Sequence, residues 1–148
     1  MSLAIQKERL RRLVQAMYIE GIVNAAFCEL QSMKEVIQPD FVVRAITLYC
    51  LAAQNLFSLL TSQLDQTDID FYQVQVYARD LLERSSSVGA ENVMIACADL
   101  ILASQANDKD YCSRALNSTK NDFSRLRRDL ETIVQVPAKS MQLVYVRI

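Results

Sequence analysis

The sequence predicts an all-α fold, a bundle of helices, on three observations. Its 148 residues contain only two Gly and two Pro, where average usage gives about seventeen of the two together. Apolar residues recur at three- and four-residue steps along most of the chain, the period of a helix with one buried face. The length suits one domain, able to bury roughly 70% of its unfolded surface in a single core. That domain spans 1–148, with a core over about 4–136 and a tail over 137–148.

Five or six helices follow from periodicity and punctuation. The first runs from Ala4 to Glu20, with Ile5, Leu10, Leu13, Val14 and Met17 as its apolar row, and stops at Gly21, a residue suited to a left-handed C-cap. Asn24 caps a short second helix carrying Phe27, Cys28, Leu30 and Gln31, which fades near Ile37. Pro39 opens a long third helix, because proline fits the first helical turn. Its stripe is Phe41, Val42, Ala45, Ile46, Leu48, Tyr49, Ala52, Ala53, Leu56, Leu59, Leu60 and Leu64. Asp68 is the expected cap of a fourth helix over Ile69–Ser86, in which Phe71, Val74, Ala78, Leu81 and Ser85 share a face. Ser87-Val88-Gly89 marks a break. A fifth helix carries Ala90, Val93, Met94, Cys97, Leu100, Ile101 and Ala103. Asn107 or Asp108 caps a sixth, through Tyr111, Cys112, Ala115, Leu116, Thr119, Phe123, Leu126, Leu130 and Val134, ending before Pro137. The tail Met141–Ile148 holds a short β-prone apolar run, Leu143, Val144, Tyr145, Val146 and Ile148.

Composition excludes several functions. The chain has no histidine, hence no imidazole base, no imidazole metal ligand and no phosphohistidine. Sixteen Lys+Arg against seventeen Asp+Glu leave a net charge of −1, which gives no general attraction to nucleic acid. The clusters Lys7, Arg9, Arg11, Arg12 and Lys120, Arg125, Arg127, Arg128 read as solvated helix faces, the second near a helix C-terminus where cations suit the dipole. No apolar run approaches the ~18–20 residues that span a bilayer, and the start lacks a signal-peptide core. Cys28, Cys50, Cys97 and Cys112 are scattered in helical apolar patterns with no C-x-x-C pair. They read as free, mostly buried thiols of an intracellular protein, neither a disulfide frame nor a metal site. Asp65, Asp68 and Asp70 read as turn and cap residues. Ser85, Ser86 and Ser87 have no base to activate them. No phosphate-binding glycine loop and no other cofactor motif is present. The residues alone describe a non-catalytic helical bundle, monomeric by default.

One segment adds to this. Ala78-Arg79-Asp80-Leu81-Leu82-Glu83-Arg84-Ser85-Ser86-Ser87-Val88-Gly89-Ala90 resembles the signature of the plant histidine-containing phosphotransfer proteins, approximately His-Gln-Leu-Lys-Gly-Ser-Ser-Ser-Ser-Ile-Gly-Ala. Glu20-Gly21-Ile22-Val23 with Phe27 and Leu30-Gln31, then Pro39-Asp40-Phe41-Val42, Thr47-Leu48-Tyr49, Leu64-Asp65-Gln66 and Asp70-Phe71 are similar to that family's second-helix entry, long helix and following turn. Ala96-Cys97 and Leu130-Glu131-Thr132 match nearer the end. The resemblance covers roughly Ala4 to Val136. It implies an up-down-up-down four-helix bundle made by the last four helices, with two N-terminal helices packed across one end. It also implies traffic of phosphoryl groups between the receiver-domain aspartates of hybrid sensor kinases and response regulators, in cytoplasm and nucleus.

The match fails where the chemistry lies. Counting back from Gly89-Ala90, Arg79 stands at the acceptor histidine, Asp80 at Gln, Leu82 at Lys, Glu83 at Gly and Arg84 at the first Ser. A guanidinium stays protonated near neutrality and offers no lone pair to phosphorus. The resemblance therefore implies a histidine-lacking, pseudo member that needs no cofactor and no metal, and that occupies receiver domains as a competitive inhibitor of the relay in cytokinin signalling. Arg79, Leu82, Glu83 and Ser86 are its candidate partner-binding residues. Arg79 suits an acidic receiver pocket; Glu83, one turn on, opposes it and has the spacing to pair with Arg79 inside the helix. Leu82 is expected to be exposed beside Arg79. Two other functions stay open: a diverged helical adaptor whose partner lies outside the relay, and a phosphotransferase with a different acceptor.

Overall fold

The computed structural model describes residues 3–33 and 41–134. Its helices are α1 (Leu3–Ile19), α2 (Ala25–Met33), α3 (Phe41–Leu64), α4 (Phe71–Val88), α5 (Glu91–Gln105) and α6 (Lys109–Val134). Among the described residues there is no strand. The Pro39 start of α3, the fading of α2 near Ile37, the stop before Pro137 and the tail 137–148 lie outside the described residues.

The four most extensive helix pairings close a ring: α3 packs on α4 and α6, and α5 packs on α4 and α6. Short links over residues 65–70, 89–90 and 106–108 make successive helices antiparallel neighbours, as in an up-down-up-down bundle. Ile46, Ala53, Leu60, Val74, Leu81, Cys97, Leu100, Phe123, Leu126 and Ile133 are among the side chains buried inside it. Ala78 and Ala103, also fully buried, let neighbouring backbones approach where larger residues would hold them apart.

α1 and α2 cover one end of this ring. α1 lies against α6 and α2 against α4. Of α1's predicted row, Leu10, Val14 and Met17 are buried, Leu13 is half-buried and Ile5 is exposed. Gly21 takes the left-handed conformation (φ 76°) that lets the chain turn out of α1. The turn then bonds to the α4–α5 junction. Asn24 N–H donates to the Gly89 carbonyl at 2.9 Å, and Glu91 N–H donates to the Ile22 carbonyl at 3.1 Å. Asn24 is the predicted cap of α2, its Oδ1 accepting from Ala26 N–H at 2.9 Å, while its Nδ2 donates to Glu91 Oε2 at 2.8 Å. Phe27 sits below, buried with Ile46, Tyr49, Val88 and Leu130.

Three expectations need correction. α4 starts two residues later than predicted, because Asp70 rather than Asp68 takes the extended cap conformation and accepts from Gln73 N–H at 3.2 Å. It also continues to Val88, since Gly89 ends it. Leu48 is 67% exposed, not part of α3's buried stripe; at 100° per residue it lies about 200° around the helix from Ile46. Finally, Val43–Leu64 is long and apolar enough to cross a membrane by length and composition, with mean hydropathy 1.3. Isolated polar residues such as Arg44, Gln54 and Asn55 interrupt its apolar runs without lowering the average much. Ile46, Tyr49, Ala53, Leu56, Phe57, Leu60 and Leu64 of this helix are buried in the bundle, which accounts for its apolar character.

The basic clusters behave differently from each other. Arg11 and Arg12 are exposed and pair with Glu8, as a solvated face should. Lys120 is half-buried and donates from Nζ to Thr61 Oγ1 at 2.6 Å, tying α6 to α3.

Candidate functional site

α4 divides its residues between two faces. Val74, Ala78, Leu81, Ser85 and Val88 are buried, at alternating four- and three-residue steps. On the other side Arg79, Glu83 and Ser86 are exposed, and they lie within about 60° of one another around the axis. Leu82 borders this face but is half-buried against the core, not exposed as the sequence suggested. It lies about 60° from Arg79, far enough round to reach the neighbouring packing. Of the four candidate residues, three therefore share an open surface and the fourth supports its edge.

The helix is held firmly behind that surface. Tyr49 of α3 and Ser85 of α4 share a hydrogen bond at 2.8 Å between their hydroxyls, with both residues buried. Burial pushes the Tyr49 phenol well above its ordinary range, so it stays protonated and able to serve this bond. Its ring meets Phe123 edge-on with centroids 6.0 Å apart, and Phe123 also meets Phe57 at 5.3 Å. A small residue at position 85 was legible in the sequence as a packing feature. Its polar partner was not, because nothing in a sequence links positions 36 residues apart.

At the C-terminal end of α4, Gly89 has φ 75° and its N–H donates to the Ser86 carbonyl at 3.2 Å. A Cβ here would stand 2.5 Å from both Asn24 Oδ1 and Phe27 N. Glycine is required twice over, by dihedral and by space. The same residue thus stops α4 and seats the α1–α2 cap against it.

The electrostatics of the open face differ from the expectation. Arg79 and Glu83 do not pair; among the described residues no carboxylate lies within ion-pair distance of the Arg79 guanidinium. Arg84 instead takes Asp80, with Nε to Oδ1 at 2.9 Å. Glu83 contributes its backbone carbonyl to the Ser87 hydroxyl at 3.1 Å, leaving its carboxylate exposed. Arg79 thus presents five uncommitted N–H donors to whatever approaches. Two exposed apolar side chains extend the face toward the N-terminus: Tyr72, 73% exposed, and Val76. Sequence reading passed over both. The available signal was their spacing, seven and three residues before Arg79 and opposite the buried row.

The face can make charge-assisted hydrogen bonds and apolar contacts. It holds no imidazole, since the chain lacks histidine. Ser86 and Ser87 have no imidazole to activate them. Among the described residues no group of three or more metal-ligating side chains converges. Cys28, Cys97 and Cys112 are buried and unbridged, and Cys50 is half-buried.

A ring of four antiparallel helices, closed at one end by two more and displaying an exposed face on the second bundle helix, is the architecture of a helical phosphotransfer domain. No family model matches the chain. It is 31% identical over 137 residues to histidine-containing phosphotransfer protein 2 of Oryza sativa subsp. japonica, covering 92% of each. A crystal structure of a histidine-containing phosphotransfer protein from maize superposes with a TM-score of 0.86 at 33% identity, over 90% of this chain and 98% of that one. Pseudo histidine-containing phosphotransfer protein 6 of Arabidopsis thaliana is 23% identical over 139 residues, 93% of this chain and 90% of that protein. The chain belongs to the histidine-containing phosphotransfer protein family.

Proposed function

We propose that this chain is a pseudo-phosphotransfer protein: a non-enzymatic member that docks on receiver domains of hybrid histidine kinases and response regulators without accepting phosphate. By occupying those domains it acts as a competitive negative regulator of the two-component phosphorelay, here that of cytokinin signalling. One observation carries the reading. The position of the acceptor is filled by Arg79, exposed and unpaired on α4, in a chain with no histidine to replace it. The relative described as a pseudo member supports the same reading. The proposal places the protein in cytoplasm and nucleus, as a monomer.

Arg79 is the anchor in this scheme. Charge-assisted hydrogen bonds contribute about 1.5–3 kcal/mol each, so its removal weakens binding by ~10- to 150-fold. Glu83 works against it, since its carboxylate faces the same approaching acidic pocket. That one feature favours a second reading, a diverged adaptor whose partner lies outside the relay.

Calorimetry with a panel of receiver domains separates the two. Binding that drops at least tenfold in Arg79→Ala and tightens in Glu83→Gly supports the decoy. Failure of every receiver to bind supports the adaptor. Incubation with a phosphorylated receiver tests inactivity: no label is expected on the natural chain, whereas Arg79→His with Glu83→Gly regains it. Stable label on the natural chain would falsify the proposal.

A further inference from the structure

The open face of α4 continues beyond Arg79 toward the start of the helix. Tyr72, Val76, Arg79 and Glu83 follow one another at steps of four, three and four residues, which keeps them within about 60° around the axis. Tyr72 is 73% exposed and Val76 39% exposed, on a helix that buries Val74, Ala78, Leu81, Ser85 and Val88 on its opposite side. Tyr72 and Arg79 stand about 10 Å apart along the axis. Tyrosine and arginine are, with tryptophan, the residues that most often dominate the energy of a protein interface.

Charge gives this strip a direction. On the C-terminal side of Arg79, one turn on, the Glu83 carboxylate is exposed and makes no ion pair among the described residues. On the N-terminal side, α4 carries no carboxylate from Phe71 to Ala78. Asp80, next to Arg79, is paired with Arg84 at 2.9 Å. Asp70, before the helix, turns its Oδ1 to the Gln73 N–H. An acidic element drawn to the guanidinium is therefore repelled from one side and unopposed on the other. The surface that carries it is displaced toward Val76 and Tyr72, where contact removes apolar area from water. Resting on the receiver-docking reading above, we propose that the partner seats off-centre on α4. Its acidic pocket takes Arg79 from the N-terminal side, and an apolar patch about 10 Å away packs on Tyr72 and Val76. These two side chains then decide which receivers bind, since a receiver without that patch gains only the Arg79 contact.

The experiment is calorimetry against the receiver panel with Tyr72→Ala, Val76→Ala and Tyr72→Glu, and with Leu102→Ala as a control, a comparably exposed apolar residue (58%) on α5. For receivers that bind the natural chain, Tyr72→Ala should weaken binding about tenfold or more and Val76→Ala about threefold, while Leu102→Ala stays within about twofold. Tyr72→Glu should weaken it further, by placing a carboxylate on the side from which the acidic pocket approaches. Its unfolding midpoint in urea should hold, because an acidic residue in the first turn suits the helix dipole. With Glu83→Gly the pocket is free to recentre, so adding Tyr72→Ala should then cost less than about threefold. Receivers that bind the natural chain and lose affinity in Arg79→Ala, yet bind Tyr72→Ala and Tyr72→Glu as well as the natural chain, overturn the off-centre seat and leave the decoy reading standing. A Tyr72→Ala loss undiminished by Glu83→Gly overturns the steering by Glu83. Failure of every receiver to bind overturns both readings together.

Discussion

The inward and outward faces of α4 obey different constraints. Inward, Val74, Ala78, Leu81 and Ser85 are fully buried and Val88 nearly so, with sizes set by neighbouring helices. Outward, Arg79 and Glu83 are exposed, at the positions where the resemblance puts the family's histidine and glycine. The inner row answers to packing, which penalises a change of one methylene. The outer row answers to chemistry and to partners, and nothing in the bundle resists its replacement. A fold can therefore be retained while the surface that faces partners is free to change.

Four experiments press on that contrast, beginning with the severest. Gly89→Ala should destabilise the protein by about 3–5 kcal/mol, combining left-handed strain with overpacking, measured by urea unfolding. It strikes the residue that both ends α4 and receives Asn24 and Phe27; a loss below ~1 kcal/mol would mean the α1–α2 cap is not seated as described. Tyr49→Phe should cost about 1–2 kcal/mol, because it strands the buried Ser85 hydroxyl. Adding Ser85→Ala should recover part of that loss, and full additivity in the cycle would deny the coupling.

The third concerns pH. Burial pushes the Cys97 thiol up to about 12 and raises the Tyr49 phenol as well, whereas in the unfolded chain the two titrate near ~8.5 and ~10. The folded state holds these protons more tightly, so their contribution is whole below pH ~8.5 and falls away as pH climbs toward 12. Melting temperature should decline progressively above pH ~9, and Cys97→Ala, though less stable at neutrality, should show a shallower decline. The mildest change belongs to the outer face: Arg79→Ala should leave the unfolding midpoint where it was, because its side chain is exposed and unpaired. A marked shift there would make Arg79 structural and erase the distinction between the faces.

The helices were legible because their causes are local. Asn24 and Gly21 were identified as boundary residues from their own chemistry, and Asp108 takes the cap of α6, accepting from Tyr111 N–H at 3.1 Å. Asp68 was chosen over Asp70 because two aspartates two residues apart are equivalent until the backbone selects one; Asp70 N–H is held by Gln63 Oε1 at 3.1 Å, a partner seven residues away. Leu82 was misplaced because position on a helix gives an angle, while exposure depends on which neighbour fills the adjoining space. Tyr72 and Val76 were missed because an exposed apolar residue carries no mark in a sequence until its buried counterparts are known. The Tyr49–Ser85 bond is a product of tertiary pairing and had no local signature.

Arg79 has one more consequence, on the scale of time. A histidine that takes up phosphate leaves its partner changed and carries a record of the meeting for as long as the phosphoramidate survives. A guanidinium carries none. On the function proposed above, every encounter made through it ends when the two surfaces part, so the protein's influence would track its abundance and residence time alone, rising and fading with synthesis and turnover, with no chemical memory to erase.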